Sequence, residues 1–245
     1  MKNTAIIIPT RLGAKRFPDK PLAKINGLPM IIHVLNRAKE SNVGQVYVAS
    51  PDQSIIDVVK KNGGEAILTK DSHLSGSDRV YEAYADNLKD EVDLIINLQG
   101  DMPNINPEAI SKLEKLMREN KSEVGTLASP IKNEEEINDI NIVKVRVDKD
   151  LENNTFLNAI DFFRTKEDFI NEKIYHHIGI YAFTNVALTK YVKLSRSKLE
   201  IERNLEQMRM IENNILIKIA LSDSTPLGVD TEEDLKKVIK EMNIL

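Results

Sequence analysis

A short apolar run that opens directly into a cationic, proline-punctuated loop is the feature that most constrains this chain. Residues 5–8 (Ala-Ile-Ile-Ile) are too few to cross a membrane and β-branched enough for a buried strand. Thr10, Arg11, Arg16 and Lys20 follow at once, with Gly13, Pro18 and Pro21 restricting the backbone between them. Open α/β sheets bind ligands beyond the carboxyl ends of their strands, and fixed cations at such a place suit a polyphosphate. The stretch therefore reads as a triphosphate-holding loop, with a solvated basic turn as the plainer alternative. No GxxxxGK(S/T) loop and no GxGxxG fingerprint follows the strand, so neither familiar glycine-rich phosphate cradle applies.

The rest of the first half repeats strand and helix. Asn26-Gly27 marks a turn, and Pro29 introduces a helix carrying Met30, Ile31, Val34, Leu35 and Ala38 at helical spacing. Residues 45–50 read as a strand, 54–61 as a helix stopped by Asn62-Gly63-Gly64, and 66–68 as a third strand. The pattern predicts an α/β fold with a doubly wound, mostly parallel sheet. Small polar residues at 73–79 can cap the next helix. Residues 93–98 form a strongly apolar strand that ends in Gln99-Gly100-Asp101, which places a carboxylate on the sheet edge that carries the cationic loop. Asp101 is either a turn acid or a metal ligand, since magnesium on nucleotide phosphates takes one or two carboxylates.

Later residues are less regular. Strands are expected at 124–130, 141–148, 175–183 and 215–221, and a helix at 107–119. Residues 199–212 read as one helix with Glu202, Glu206 and Arg209 near one side. Asp230 or Thr231 can cap the last helix. At 245 residues and 41% hydrophobic, the chain is expected to fold as one domain over 1–245. Its net charge of −4 leaves no footprint for nucleic acid. Without cysteine there is no disulfide or thiol chemistry, and no segment resembles a signal peptide or a membrane span, so a cytoplasmic protein is expected.

Several of these segments carry a resemblance. Pro9-Thr10-Arg11 with Lys15-Arg16-Phe17-Pro18-Asp19-Lys20-Pro21-Leu22 resembles the N-terminal signature of the sugar-activating nucleotidyltransferases. In its spacing it is most similar to their 3-deoxy-manno-octulosonate (Kdo) cytidylyltransferase branch. His73-Leu74-Ser75-Gly76-Ser77-Asp78-Arg79, Gln99-Gly100-Asp101-Met102-Pro103, Asn141-Ile142-Val143-Lys144-Val145, His177-Ile178-Gly179-Ile180-Tyr181 and Gly228-Val229-Asp230-Thr231-Glu232-Glu233-Asp234-Leu235 match the same family in order. The resemblance implies that Thr10, Arg11, Arg16, Lys20, Ser75, Ser77, Arg79 and Gln99 contact the nucleotide. It implies that Asp101 and Asp230 hold Mg2+, and that Lys20 and Arg11 act with them in catalysis. His177, Tyr181, Glu206 and Gln207 would face the sugar. The substrates it implies are CTP and a sugar acid, foremost Kdo, with no nucleic acid and no membrane insertion. It also implies a homodimer, formed through a smaller β-rich and helical arm at roughly 140–213 that includes the sugar pocket.

Three departures stand out, one of them in residues 199–209, where Glu202 sits one residue earlier than the family's second Glu and Arg203 takes its place. Met102 replaces the family's usual Glu. An ungapped reading places Asp161 where the family has a sugar-pocket Arg, while a shift of three residues brings Arg164 to that position. Two further functions therefore stay open beside CMP-Kdo synthesis: a cytidylyltransferase for another sugar acid, such as an acylneuraminate or modified Kdo, and a nucleotide or nucleotide-sugar binder without turnover.

Overall fold

The computed structural model describes residues 3–13, 16–165 and 172–243, so Lys15 of the N-terminal motif lies outside the described residues. The chain divides into two compact units, Met1–Ser111 with Pro226–Leu245, and Lys112–Thr225.

The first unit is built on β1 (Thr4–Pro9), whose Ala5, Ile6, Ile7 and Ile8 are fully buried, as expected of a parallel strand covered on both faces. A single 3-10 turn (Lys20–Leu22) and a hairpin of β2 (Lys24–Ile25) and β3 (Leu28–Pro29) follow. Asn26 and Gly27 both have positive φ (50° and 86°), the backbone that a two-residue hairpin loop requires. Then come α1 (Met30–Glu40), β4 (Gln45–Ser50), α2 (Gln53–Lys61), β5 (Glu65–Leu68), α3 (Gly76–Asn87), β6 (Leu94–Asn97) and α4 (Pro107–Glu119), whose last residues belong to the second unit. The strands run in the order β5-β4-β1-β6, and each of these pairings is parallel. Met30, Ile31, Val34 and Leu35 of α1 and Val80 and Ala83 of α3 are fully buried, and this apolar burial is what stabilises the layers.

The second unit contains β7 (Val124–Pro130), α5 (Glu134–Asn138), β8 (Lys144–Val147), β9 (Leu157–Phe163), β10 (Lys173–Thr184), α6 (Asn185–Val192), α7 (Lys198–Arg203), α8 (Met208–Glu212) and β11 (Lys218–Leu221). Its sheet is mixed. β11 runs parallel to β7, whereas β10 is antiparallel to β7 and β8, and β9 is antiparallel to β8 and β11. The expected mostly parallel sheet thus describes the first unit and not the second. The physical reason is connection length: β8 and β9 are joined without a crossover helix, which only an antiparallel pair permits.

The expected helix over 199–212 is two helices. Asn204 adopts a left-handed conformation (φ 52°, ψ 47°), which Asn tolerates better than most residues. The break lets Leu205 and Met208 turn into the core, where they are 4% and 0% exposed. Glu202, Glu206 and Arg209 consequently do not share a helix face: Glu202 is exposed, while Arg209 is buried.

The chain returns to the first unit with α9 (Glu232–Met242). Thr231 caps it through Asp234 N–H, and the Asp234 carboxylate accepts from Thr231 N–H in return. Ile25, Met30, Val229 and Val238 form a small buried cluster with Phe17 and Leu235 packed on it. That cluster seats the start of α9 against the N-terminal loop.

Candidate active site

In the first unit a cleft of about 270 Å3 is lined by Pro9, Thr10, Arg11, Lys20, Ser75, Arg79, Gln99 and Asp101, among others. The carboxyl end of β1 forms its floor. Beyond it, Leu12 N–H donates to the Asp52 carboxylate at 2.8 Å and Thr10 N–H to Ala49 O at 3.0 Å, which fix the start of the cationic loop. Gly100 is required for close approach: a Cβ there would lie 3.2 Å from Pro9 O and 3.3 Å from Thr10 Cβ. The two strand ends that carry Arg11 and Asp101 are thereby held side by side.

Lys20 is the electrostatic centre. Its Nζ donates to Val229 O (2.6 Å), Asp101 Oδ2 (3.2 Å) and Asp230 Oδ1 (3.3 Å), and its side chain is only 13% exposed. Arg16 reaches the other Asp230 oxygen at 2.9 Å. The carboxylates are brought together by backbone as well, because Val229 N–H donates to Asp101 O at 2.9 Å. Two acids therefore converge on one cation. Among the described residues no group of three or more His, Cys, Asp or Glu is arranged to hold a metal ion. A two-carboxylate set fits magnesium, which completes its octahedron with water and substrate phosphates, better than a metal caged by protein alone.

Arg79 is 3% exposed and donates to Thr69 Oγ1 and Lys70 O. Burial, and then the neighbouring Arg11, lower its pKa below the usual guanidinium value. Ser75 accepts from Asp78 N–H as the cap of α3 while lining the cleft, so both of its expected roles are compatible. Gln99 donates to Asn97 Oδ1 (3.0 Å). Ser77, by contrast, is 5% exposed and lies 3.5 Å from Asn97 Nδ2, behind the residues that line the cleft. His73 and Leu74 also line the cleft, although the sequence assigned them no separate role. His73 is held by Glu82, whose carboxylate also accepts from Lys70 N–H; a helical carboxylate nine residues on is not visible as a motif.

The candidate sugar residues lie in the second unit. His177 is buried and packs edge-on to Phe162 (5.0 Å between centroids) and against Tyr181 (5.4 Å). The single hydroxyl proton of Thr126 is directed to Ile180 O at 2.6 Å, so His177 Nε2–H donates to Thr126 Oγ1 at 3.0 Å and the ring is the Nε2–H tautomer. Burial, with a smaller contribution from His176, pushes the His177 pKa down to about 3. Tyr181 is driven well above its ordinary pKa by burial and then by Glu206, and its hydroxyl is a buried polar group without a hydrogen-bond partner among the described residues. Glu206 Oε1 accepts from Tyr191 Oη at 2.9 Å, and Gln207 is 7% exposed at the start of α8. The structure thus groups His177, Tyr181 and Glu206.

Arg164 is engaged elsewhere. Its guanidinium donates to Ile140 O and Asn141 O, and its own carbonyl accepts from the buried Lys144 ammonium. Asp161 pairs with Arg203 at 2.6 Å, and Arg203 also donates to Phe162 O. The reversed charge at 161 is therefore neutralised within the unit by the cation at 203.

The His177 shift has a testable consequence. The unfolded chain takes up a proton at this ring near its ordinary pKa of 6.5, whereas the folded chain resists until about 3. Its contribution to stability is full above the unfolded value and is lost as pH falls. From about pH 7 to about pH 5 the loss is about 2 kcal/mol. Urea unfolding of the protein and of His177→Gln at both pH values should show the substituted chain lacking that part of the slope. Equal slopes would remove the assignment.

Residues 5–219 match the cytidylyltransferase family model. The chain is 41% identical over 235 residues to the 3-deoxy-manno-octulosonate cytidylyltransferase of Brucella canis, covering 96% of this chain and 93% of that protein. It is also 41% identical over 236 residues to the protein of the same name from Bartonella bacilliformis, with 96% of each covered. A solved structure of CMP:2-keto-3-deoxy-manno-octonic acid synthetase complexed with CTP superposes with a TM-score of 0.90 at 34% identity, covering 99% of each chain. The cationic cleft at the end of β1 therefore sits in a chain that belongs to the cytidylyltransferase family, among the 3-deoxy-manno-octulosonate cytidylyltransferases.

Proposed function

We propose that this protein couples CTP to Kdo, giving CMP-Kdo and pyrophosphate for lipopolysaccharide assembly. The observation that carries the reading is the cleft lined by Arg11, Lys20, Arg79 and Asp101, within a family whose relatives bear this activity in their names. In the reaction an anomeric oxygen of the sugar acid bonds to the α-phosphorus, its proton is lost to solvent, and the bond to the bridging oxygen breaks as pyrophosphate leaves. Arg11, Arg16 and Lys20 balance the triphosphate charge, and Lys20 also holds Asp101 and Asp230 in register. Thr10, Ser75, Arg79 and Gln99 orient the nucleotide. Asp101 and Asp230 would hold Mg2+, which when bound neutralises phosphate charge and lowers the pKa of a coordinated hydroxyl. Neutral His177, protonated Tyr181 and Glu206 with Gln207 bind sugar hydroxyls; the Tyr181 hydroxyl, buried with no hydrogen-bond partner among the described residues, supports this, because a buried polar group gains from a partner. Positioning and charge stabilisation suffice without a covalent intermediate.

A homodimer formed through the second unit belongs to the same proposal. Ile140, Ile160, Val186, Ile201 and Leu216 are exposed large apolar residues among the described residues of that unit, and light scattering would give the mass. No helix among the described residues is long and apolar enough to cross a membrane, and a CTP-consuming step fits the cytoplasm.

The deciding experiment is magnesium-dependent pyrophosphate release with CTP and Kdo, its amino analogue or N-acetylneuraminate, with UTP and ATP as nucleotide controls. Release with CTP and Kdo is expected. Release only with another acid would replace the substrate; CTP binding without release from any acid would make the protein a binder.

A further inference from the structure

Glu206 is held by a network that the sequence does not announce. Tyr191, on α6, is 1% exposed, and its hydroxyl donates to Glu206 Oε1 at 2.9 Å and lies 3.1 Å from Glu206 O. Two neighbours hold the ring. It stacks on Phe183 with centroids 5.8 Å apart and planes within 10°, and the Arg209 guanidinium sits 5.1 Å from its centroid.

Arg209 is itself immobilised. Its Nε and Nη2 donate to the two oxygens of Glu200 at 2.8 and 2.6 Å, a bidentate pair in which both residues are at most 5% exposed. Glu200 also accepts from Ser197 N–H in the capping box of α7 and from Arg196. A chain of contacts thus runs from the start of α7 through Arg209 and Tyr191 to the Glu206 carboxylate. The Tyr191 hydroxyl stays a donor, because burial and then Glu206 raise its pKa well above the ordinary value.

We propose that Tyr191 is a positioning residue for the sugar-acid substrate, which it serves by fixing the rotamer of Glu206 from a ring held by Phe183 and Arg209. The proposal rests on the reading of Glu206 as a sugar contact. A carboxylate that accepts a hydrogen bond from an immobilised phenol presents its acceptors in a defined orientation, and that pre-organisation lowers the ordering cost of binding. Tyr191 acts through Glu206 and touches no reacting atom.

The test is steady-state kinetics of Tyr191→Phe, Glu206→Gln and the double variant, with thermal unfolding of each. Phenylalanine retains the stacking on Phe183 and the face presented to Arg209, so only the hydroxyl is removed. Tyr191→Phe should raise the sugar-acid KM about tenfold, the scale of one hydrogen bond to a charged group, and leave the CTP KM unchanged. In the Glu206→Gln background the same change should add less than about twofold, because the two residues act as a unit. An unchanged sugar-acid KM in Tyr191→Phe, or an equal increase with and without Glu206, would overturn the inference. A Glu206→Gln variant with an unaltered sugar-acid KM would instead remove Glu206 from the sugar site, which is a separate failure.

Discussion

Asp101→Asn is expected to lower kcat with CTP and the sugar acid by about two to four powers of ten, the range found when a charge-stabilising group is lost from a reacting centre. Asparagine keeps the shape and one acceptor but removes the charge that faces Lys20 at 3.2 Å and that magnesium would need. The fold should tolerate it, since the backbone bond from Val229 N–H to Asp101 O does not involve the side chain. Thermal unfolding should therefore stay near that of the parent while turnover collapses. Asp230→Asn should behave alike, with the added loss of the Arg16 pair. A kcat that stays at the parent level in either variant would take that residue out of the metal site.

Lys20→Ala is expected to cost about two to four powers of ten in kcat/KM for CTP, again the scale of one lost electrostatic contact to the transferring group. Its side chain contacts both carboxylates and Val229 O from a 13% exposed position, so alanine leaves Asp101 and Asp230 facing each other without an ammonium. Magnesium should accordingly raise the melting temperature of the variant more than that of the parent, since a divalent cation relieves the same repulsion. The sugar-acid KM should not change. A defect confined to that KM would contradict a phosphate role for Lys20.

These two residues also show how far the sequence could be read. Lys20 stands in a motif whose prolines and cations lie within one short loop, and Asp101 ends an apolar strand, so each stood out as a candidate from its neighbours, with a solvated basic turn and a turn acid as the alternatives. Their contact did not, because it joins positions 81 residues apart and depends on Gly100 letting two strand ends approach. Asp230 reaches the same point through a backbone bond from its neighbour Val229 and the packing of α9. The resemblance grouped the three; packing holds them together.

The second unit was less legible. Residues 199–212 have a periodicity that favours one helix, and only the burial of Leu205 and Met208 makes the left-handed turn at Asn204 the better solution. Asp161 looked like a reversed charge until Arg203, 42 residues later, was seen to neutralise it. Tyr191 has no motif of its own, and its tie to Glu206 exists because α6 and the segment after Asn204 meet.

What the sequence by itself determined are features with short-range causes: the buried β1 strand, the parallel alternation of the first unit, a helix cap within 73–79 and another at 230 or 231, and a loop of residue types that suit a polyphosphate. Hydrophobic periodicity and capping act over a few residues, so they are written locally. Only the tertiary structure decided the mixed pairing of the second sheet, the neutral tautomer of His177, and the ion pairs Lys20–Asp101–Asp230, Asp161–Arg203 and Glu200–Arg209. Those depend on which distant side chains are buried together, where removal from water makes an unpaired charge or hydroxyl costly and so selects its partner.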